Sequence, residues 1–479
     1  MSDAGKEKMK RKKPELLIPA GSLEVLKTAV IYGADAVYIG GEVFGLRAKA
    51  KNFSLEEMAE GIEFAHSRGV KVYVTANILA HNDDIADAKE YFEELKMLHS
   101  NNEYSAVPDA LIISDPGLFQ LAKEVWPEVE IHISTQANNT NYQTYLFWYE
   151  MGAKRVVSAR ELSLEEIHEI RMHIPSDMEI ESFVHGSMCI SYSGRCLLSN
   201  YFTGRDANQG SCTHPCRWKY AVMEESRPGE YLPVYENERG SFIFNSKDLC
   251  MIEYIPDLVR AGIDSFKIEG RMKTALYVAA VTRTYRRAID DYFEDEQLYL
   301  DNMGWYREEI AKCTYRQYST GFYFGKPSEE NQIYDNSTYV NEYIYLGIVE
   351  DRQSMLCDFT EDYNSGKSRE RLDTLLEKGE LKWQDMAEVS DQQGERLIGM
   401  TELARITQRN KFCVGDEIEI MKPDGRNFAV KVRAIYNEKM ESVESAPHAK
   451  EILWVCFEGV EDGQDFVSEG DLLRAKAAE

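Results

Sequence analysis

The sequence predicts a (β/α)8 barrel followed by a small all-β barrel domain. Three observations predict it. Eight short apolar runs alternate with amphipathic stretches over roughly 270 residues, the rhythm of consecutive βα units. No Gly-x-Gly-x-x-Gly turn follows the first run, which removes the main signature of a doubly wound dinucleotide-binding sheet. Near residue 343 the period shortens to closely spaced strands and turns.

The first strand is ELLIPAG (15–21), and the helix after it, SLEVLKTAVIYG, has Ser22 placed to cap its N-terminus. DAVYIGG (35–41), VKVYVTANIL (70–79), ALIISDPG (110–117), EIHISTQA (130–137), KRVVSAREL (154–162), EIESFVHG (179–186) and SFKIEGR (265–271) complete the set. Each is apolar through its length, as a strand buried on both faces must be. Between them lie helical patterns such as SLEEMAEGIEFAHSRG, DIADAKEYFEELKML and SLEEIHEIRMHI. Residues 274–295 read as one long helix closing the barrel, so the first domain spans 14–300. Tyr and Phe punctuate a linker at 301–342. The segments YIYLGIV, CDFT, ELARI, DEIEIMKP, FAVKVRAIY and EILWVCFEG then make a β-barrel domain over 343–479. A highly charged stretch at about 360–396 is expected to be an exposed insertion, and residues 1–13 a basic disordered tail.

Composition narrows the class. The 43% hydrophobic and 29% charged content of these 479 residues is that of a soluble globular protein. No apolar run reaches the roughly 18–20 residues that span a bilayer, so no membrane partner is expected. The basic N-terminus lacks the apolar segment of a secretory signal, which points to the cytoplasm and to reduced thiols. A net charge of −27 disfavours non-specific nucleic-acid binding, so any RNA contact needs a focused basic patch.

In a barrel of this kind the active site lies at the C-terminal ends of the strands. Polar residues recur there: Ser22, Asn77, Asp115, Gln136, Arg160, Glu161, His185, Glu269 and Arg271. Directly after the seventh strand comes a cysteine-rich loop holding Cys189, Cys196, Cys212 and Cys216, and Cys250 follows in NSKDLC. The spacing, Cys-x6-Cys, fifteen residues, then Cys-x3-Cys, lacks the paired Cys-x-x-Cys knuckles common in structural zinc sites. Four thiolates on a folded loop suit either a [4Fe–4S] cluster or, less readily, zinc. Glu181 and His185 flank the loop as acid–base candidates. Arg160 with Glu161, and Lys267, Glu269 and Arg271, supply charge at the mouth, with arginine able to hold a carboxylate in two parallel bonds. There is no Gly-x-Ser-x-Gly elbow and no His-Glu-x-x-His.

The stretch ESFVHGSMCISYSGRCLLS resembles the signature of the collagenase-like peptidase family of unassigned catalytic type, family U32. The resemblance extends through PAGSLEVLKTAVIYGADAVYIGG, HISTQANNTN, RDANQGSCTHPCRW, NSKDLC and DSFKIEGRMK, and the C-terminal segment VGDEIEIMKPDG is similar to the family's appended β-domain. It implies a [4Fe–4S] cluster on four cysteines, with Cys189, Cys196, Cys212 and Cys216 as first-choice ligands and Cys250 as an alternative fourth. It further implies hydroxylation of the tRNA wobble uridine to 5-hydroxyuridine, dependent on prephenate. The partners implied are the tRNA anticodon region, a small dicarboxylate gripped by Arg160, Lys267 and Arg271, and a paralogous partner or a second copy. Arg205, Arg217, Lys219 and the N-terminal basic run are candidates for an RNA patch, with Tyr201, Trp218 and Tyr220 as stacking surfaces. Metal-assisted proteolysis on Glu181 and His185, and a non-catalytic role beside a paralogue, are the alternatives.

Overall fold

The structure is a computed structural model that describes residues 12–41, 52–99, 106–189, 191–209, 211–218, 221–223, 231–233, 245–325, 332–333, 340–358, 386–391, 394–458 and 467–477. It divides into two compact units, 1–340 and 341–479.

In the first unit all eight expected strands form: β1 (Glu15–Pro19), β2 (Ala36–Gly40), β3 (Lys71–Ala76), β4 (Ala110–Ile113), β5 (Glu130–Ile133), β6 (Arg155–Val157), β7 (Glu179–Gly186) and β8 (Ser265–Ile268). They pair in parallel and in sequence, and β8 pairs with both β7 and β1, so the sheet closes. Leu17, Ala36, Tyr38, Tyr73, Ala110 and Ile112 form one buried cluster. The opposite faces of the strands pack on helices α1 (Leu23–Ile31), α2 (Leu55–His66), α3 (Asp84–Lys96), α4 (Pro116–Val125), α5 (Tyr142–Glu150) and α6 (Leu164–His173). Burial on both sides is why these strands read as unbroken apolar runs.

The turns from strand to helix are set by side-chain caps. Ser22 accepts from the Val25 backbone N–H at 3.4 Å, and Asp115 accepts from that of Leu118 at 3.0 Å. Ser54 and Ser163 head α2 and α6 in reciprocal capping boxes with Glu57 and Glu166. Two of the polar strand-end residues are therefore helix caps.

Below the mouth the barrel interior holds an ionic network. Arg155 donates to Glu15 at 2.6 Å, Glu179 at 2.6 Å and Glu181 at 3.1 Å, and Lys267 donates to Glu181 at 2.6 Å. Burial pushes Glu15 up, but the adjacent guanidinium outweighs it and brings the carboxyl down to about 2.

The long helix after β8 is α9 (Ala275–Glu294), preceded in the chain by α7 (Leu198–Thr203) and α8 (Ile255–Ala261). Residues 301–342 are not the simple linker expected. α10 (Glu296–Asp301) and α11 (Met303–Ala311) pack against α9, where Glu309 is buried and pairs with Arg283 and Lys312. Tyr318–Ser319 then pairs with the short strand Asp248–Cys250, and Arg316 donates to Asp248 at 2.7 Å. Of the aromatic residues that punctuate this segment, Tyr306 and Tyr323 are buried.

The second unit is antiparallel. β9 (Tyr343–Asp358), β10 (Met386–Asp391), β11 (Gly394–Gln408), β12 (Glu417–Met421), β13 (Asn427–Tyr436), β14 (Ile452–Glu458) and β15 (Leu472–Lys476) are its main strands. The order β9-β15-β12-β13-β14-β11 returns to β9, so the sheet closes around Val349, Ile406, Ile420, Val432 and Leu453, with β10 hanging from β11. Most of the expected insertion at 360–396 lies outside the described residues, as do residues 1–11 of the tail; residues 386–391 belong to a hairpin.

Candidate functional site

A cavity of about 380 Å3 opens at the C-terminal ends of the strands, where the fold class predicts a site. Asn77, Gln136, Arg160, Lys267, Glu269 and Arg271, all named from sequence, line it. So do Cys189, Cys196, Cys212 and Cys216. Tyr38, Thr75, Ser134, Phe183 and Arg205 are also part of the wall. Tyr38, Thr75 and Phe183 lie within strands whose apolar pattern gives no sign that one face turns to a site.

The cysteine loop covers the mouth and is tied to it. Asn138, in a left-handed conformation, donates to the Ser193 carbonyl at 3.0 Å and accepts from Arg195 at 2.9 Å. Further along, Leu79 N–H donates to the Asn208 carbonyl, and the Gln209 side chain donates back to the Leu79 carbonyl. α7 ends at Gly204, also left-handed, so the chain reverses and brings Arg205 to the cavity. Cys189 and Cys212 are exposed and Cys196 and Cys216 half-buried. The His214 backbone N–H points at the Cys212 sulfur at 3.4 Å.

Four thiols, with His214 beside them on the same wall, form a largely soft donor set, which fits an iron–sulfur cluster or zinc. Among the described residues, no three Cys, His, Asp or Glu side chains already converge at metal-binding distance; the thiols share a wall, not a finished socket. Cys250 does not line the cavity. It pairs across the sheet with His185, and burial pushes its thiol up to about 12.

The charged residues of the rim are largely engaged. Arg160 donates to Glu269 at 2.8 Å and lies over the Phe183 ring at 4.1 Å. Lys267 holds Glu181 and sits 4.3 Å from the Tyr38 ring centroid. Arg271 donates to Thr75 at 2.9 Å and Asn52 at 3.3 Å. Gly40 is what admits it: a Cβ there would lie 2.5 Å from the guanidinium. Arg160, Lys267 and Arg271, expected to grip a carboxylate together, all line the cavity, but Lys267 is at the same time paired with Glu181 of the interior network.

Two acid–base candidates are also corrected. Glu181 is completely buried beneath the cavity. Burial raises its carboxyl, but Lys267 and Arg155 outweigh that and keep it below the ordinary range. His185 is sealed among the rings of Tyr277, Tyr285 and Tyr318, with neither ring nitrogen partnered among the described residues. Burial lowers its pKa to about 3. The reason is a bulge: β8 Lys267 faces Phe183, but Ile268 faces His185, so β7 carries one extra residue. Phe183 lines the cavity, and after the bulge His185 turns to α9. Glu161 is half-buried, its carboxyl raised by burial, and does not line the cavity.

Beside the mouth, Tyr201 is 82% exposed, and Phe202 packs between it and the half-exposed Trp218, with ring centroids 5.2 and 6.2 Å apart. Lys219 and Tyr220 lie outside the described residues, as does the side chain of Arg217. No helix among the described residues is long and apolar enough to cross a membrane.

Comparison with known proteins matches residues 21–333 to peptidase family U32 and residues 382–474 to the peptidase family U32 C-terminal domain. The chain is 39% identical to tRNA hydroxylation protein P1 of Bacillus subtilis, over 92% of this chain and 91% of that one. It is 37% identical to tRNA hydroxylation protein P of Escherichia coli, over 92% and 93%. It is also 45% identical to an uncharacterized protease of Methanocaldococcus jannaschii, over 65% and 73%.

Proposed function

The chain belongs to peptidase family U32, and from that premise we propose that it is a tRNA-modifying enzyme that hydroxylates the wobble uridine to 5-hydroxyuridine. The observation that carries this is the meeting of four thiols and a cationic wall in one small cavity, beside exposed aromatic side chains. A nucleobase taken out of a single-stranded loop needs such an aromatic surface to stack on and a polar pocket to enter.

In this reading Cys189, Cys196, Cys212 and Cys216 hold a [4Fe–4S] cluster, which when bound supplies electron transfer or Lewis acidity at the mouth. Zinc is the less favoured occupant. Prephenate is the co-substrate, and the arginines of the cavity orient its carboxylates. Tyr201, Phe202 and Trp218 stack on anticodon bases, and their exposure supports that role over packing as a dry shell. The protein works in the cytoplasm, alone or with a paralogue.

Deleting the gene in a strain lacking any redundant paralogue should abolish 5-hydroxyuridine-derived nucleosides in tRNA, read by mass spectrometry, and the wild-type gene should restore them. Unchanged tRNA sinks the proposal. The peptidase reading has lost the one acid–base pair suggested for it, because Glu181 and His185 are both closed off from the cavity.

A further inference from the structure

We infer that Leu197 is a wedge: when the wobble nucleotide is drawn into the cavity, this side chain takes the place its base leaves in the anticodon stack. The inference rests on the hydroxylation reading and adds to it a positioning residue that touches no reacting atom. Among the described residues, six exposed large apolar side chains belong to the cysteine loop or the cavity wall: Tyr192, Leu197, Tyr201, Phe202, Trp218 and Met272. Single exposed apolar residues are ordinary on a protein surface, but a group of them around one opening marks a surface that something covers.

Four of the six are aromatic and can stack on a base; Leu197 cannot. It follows Cys196 of the cavity wall, is 70% exposed and does not itself line the cavity, so it stands on the rim. The Tyr201 backbone N–H donates to the Leu197 carbonyl at 2.9 Å, one helical turn along, so the two side chains share a face of α7. An aliphatic group beside an aromatic platform is what proteins push between bases when one is extracted. The wedge fills the gap and offsets part of the unstacking cost. A wedge also needs a support. The chain just before Leu197 has one, where Asn138 donates to the Ser193 carbonyl and accepts from Arg195.

Charge selects RNA as the occupant of this rim. Residues 187–218 carry Arg195, Arg205 and Arg217 against Asp206 alone, a net +2 within a chain of −27. A cationic loop with an apolar rim suits a phosphate backbone whose bases turn towards the protein.

The test needs no chemistry. Anticodon stem–loops carry 2-aminopurine at the nucleotide directly 3′ of the wobble uridine, where it brightens once no base stacks on it. Saturating full-length protein should raise the fluorescence. Leu197→Ala should cut that rise at least threefold, and Leu197→Met should restore most of it. Met172→Ala, on the similarly exposed Met172 of α6, should leave the rise unchanged. No rise with the native protein, or a full rise with Leu197→Ala, would overturn the wedge. So would unchanged fluorescence together with loss of a native dimer in Leu197→Ala by analytical ultracentrifugation, which would assign the rim to a second copy of the chain. Unchanged tRNA in the deletion strain would remove the hydroxylation reading, and a Leu197-dependent rise would still show that the base is extracted.

Discussion

Cys189, Cys196, Cys212 and Cys216 share a cavity wall, and Cys250 lies behind β7 beside His185. Single Cys→Ala variants purified without oxygen should therefore divide four to one: the first four lose most of their iron and sulfide, and Cys250→Ala keeps both. An iron-free Cys250→Ala beside a loaded Cys216→Ala would reverse the assignment of the fourth thiolate. His185 makes a second prediction at this scale. Its pKa falls from 6.5 to about 3 because burial disfavours the imidazolium. Above about pH 6.5 the ring is neutral in both folded and unfolded chains and has no effect. Below that the unfolded chain takes up a proton that the folded chain refuses, so stability is lost as pH falls towards 3. The loss attributable to this group is about 2 kcal/mol at pH 5. Replacement by Phe, which suits the tyrosine cage, should flatten the urea-derived stability between pH 6.5 and 5 relative to the native protein.

At the scale of elements, the end of β7 decides the site. The bulge there turns His185 away from the cavity, and Gly186 follows at φ +109°, a conformation L side chains rarely adopt. A Cβ on Gly186 would also lie 2.3 Å from the Glu269 carbonyl oxygen, the same oxygen to which Tyr277 donates at 2.9 Å. Gly186→Ala should cost about 1–3 kcal/mol in urea unfolding. It should also disturb the Arg160–Glu269 pair, lowering tRNA hydroxylation more than the stability loss alone explains; a variant as stable as the native protein would count against the strain. The strand ends were legible one by one, since Asn77, Gln136, Arg160, Glu269 and Arg271 all reach the cavity. The bulge was not, because EIESFVHG reads as an uninterrupted strand, and a single extra residue reverses the face of everything after it. That is why His185 is no acid–base group of the cavity; Glu181, before the bulge, is instead held in the interior network by Arg155 and Lys267.

For the whole molecule, a net charge of −27 limits how RNA can be held. With few basic groups at the mouth, tRNA binding should engage no more than about four phosphates. The slope of log K against log salt should then be no steeper than about −3. A much steeper slope in a salt titration would show a broad basic surface instead. Arg205 shows the other limit of one-dimensional reading: it was legible as a basic residue near the thiols, but not as a cavity group, since only the left-handed turn at Gly204 brings it there. By itself, the sequence determined the closed eight-strand barrel, the second β-domain and the thiol-bearing loop over the mouth. Periodicity and strand order are local properties, and eight apolar runs alternating with amphipathic helices, with no Gly-x-Gly-x-x-Gly turn after the first, point to a closed barrel buried on both faces. Tertiary structure alone decided which charged residues are spent. Whether Lys267 faces a ligand or Glu181, and whether Arg205 meets a partner, depends on distances of 3 Å between residues far apart in the chain, set by barrel closure and by one bulge.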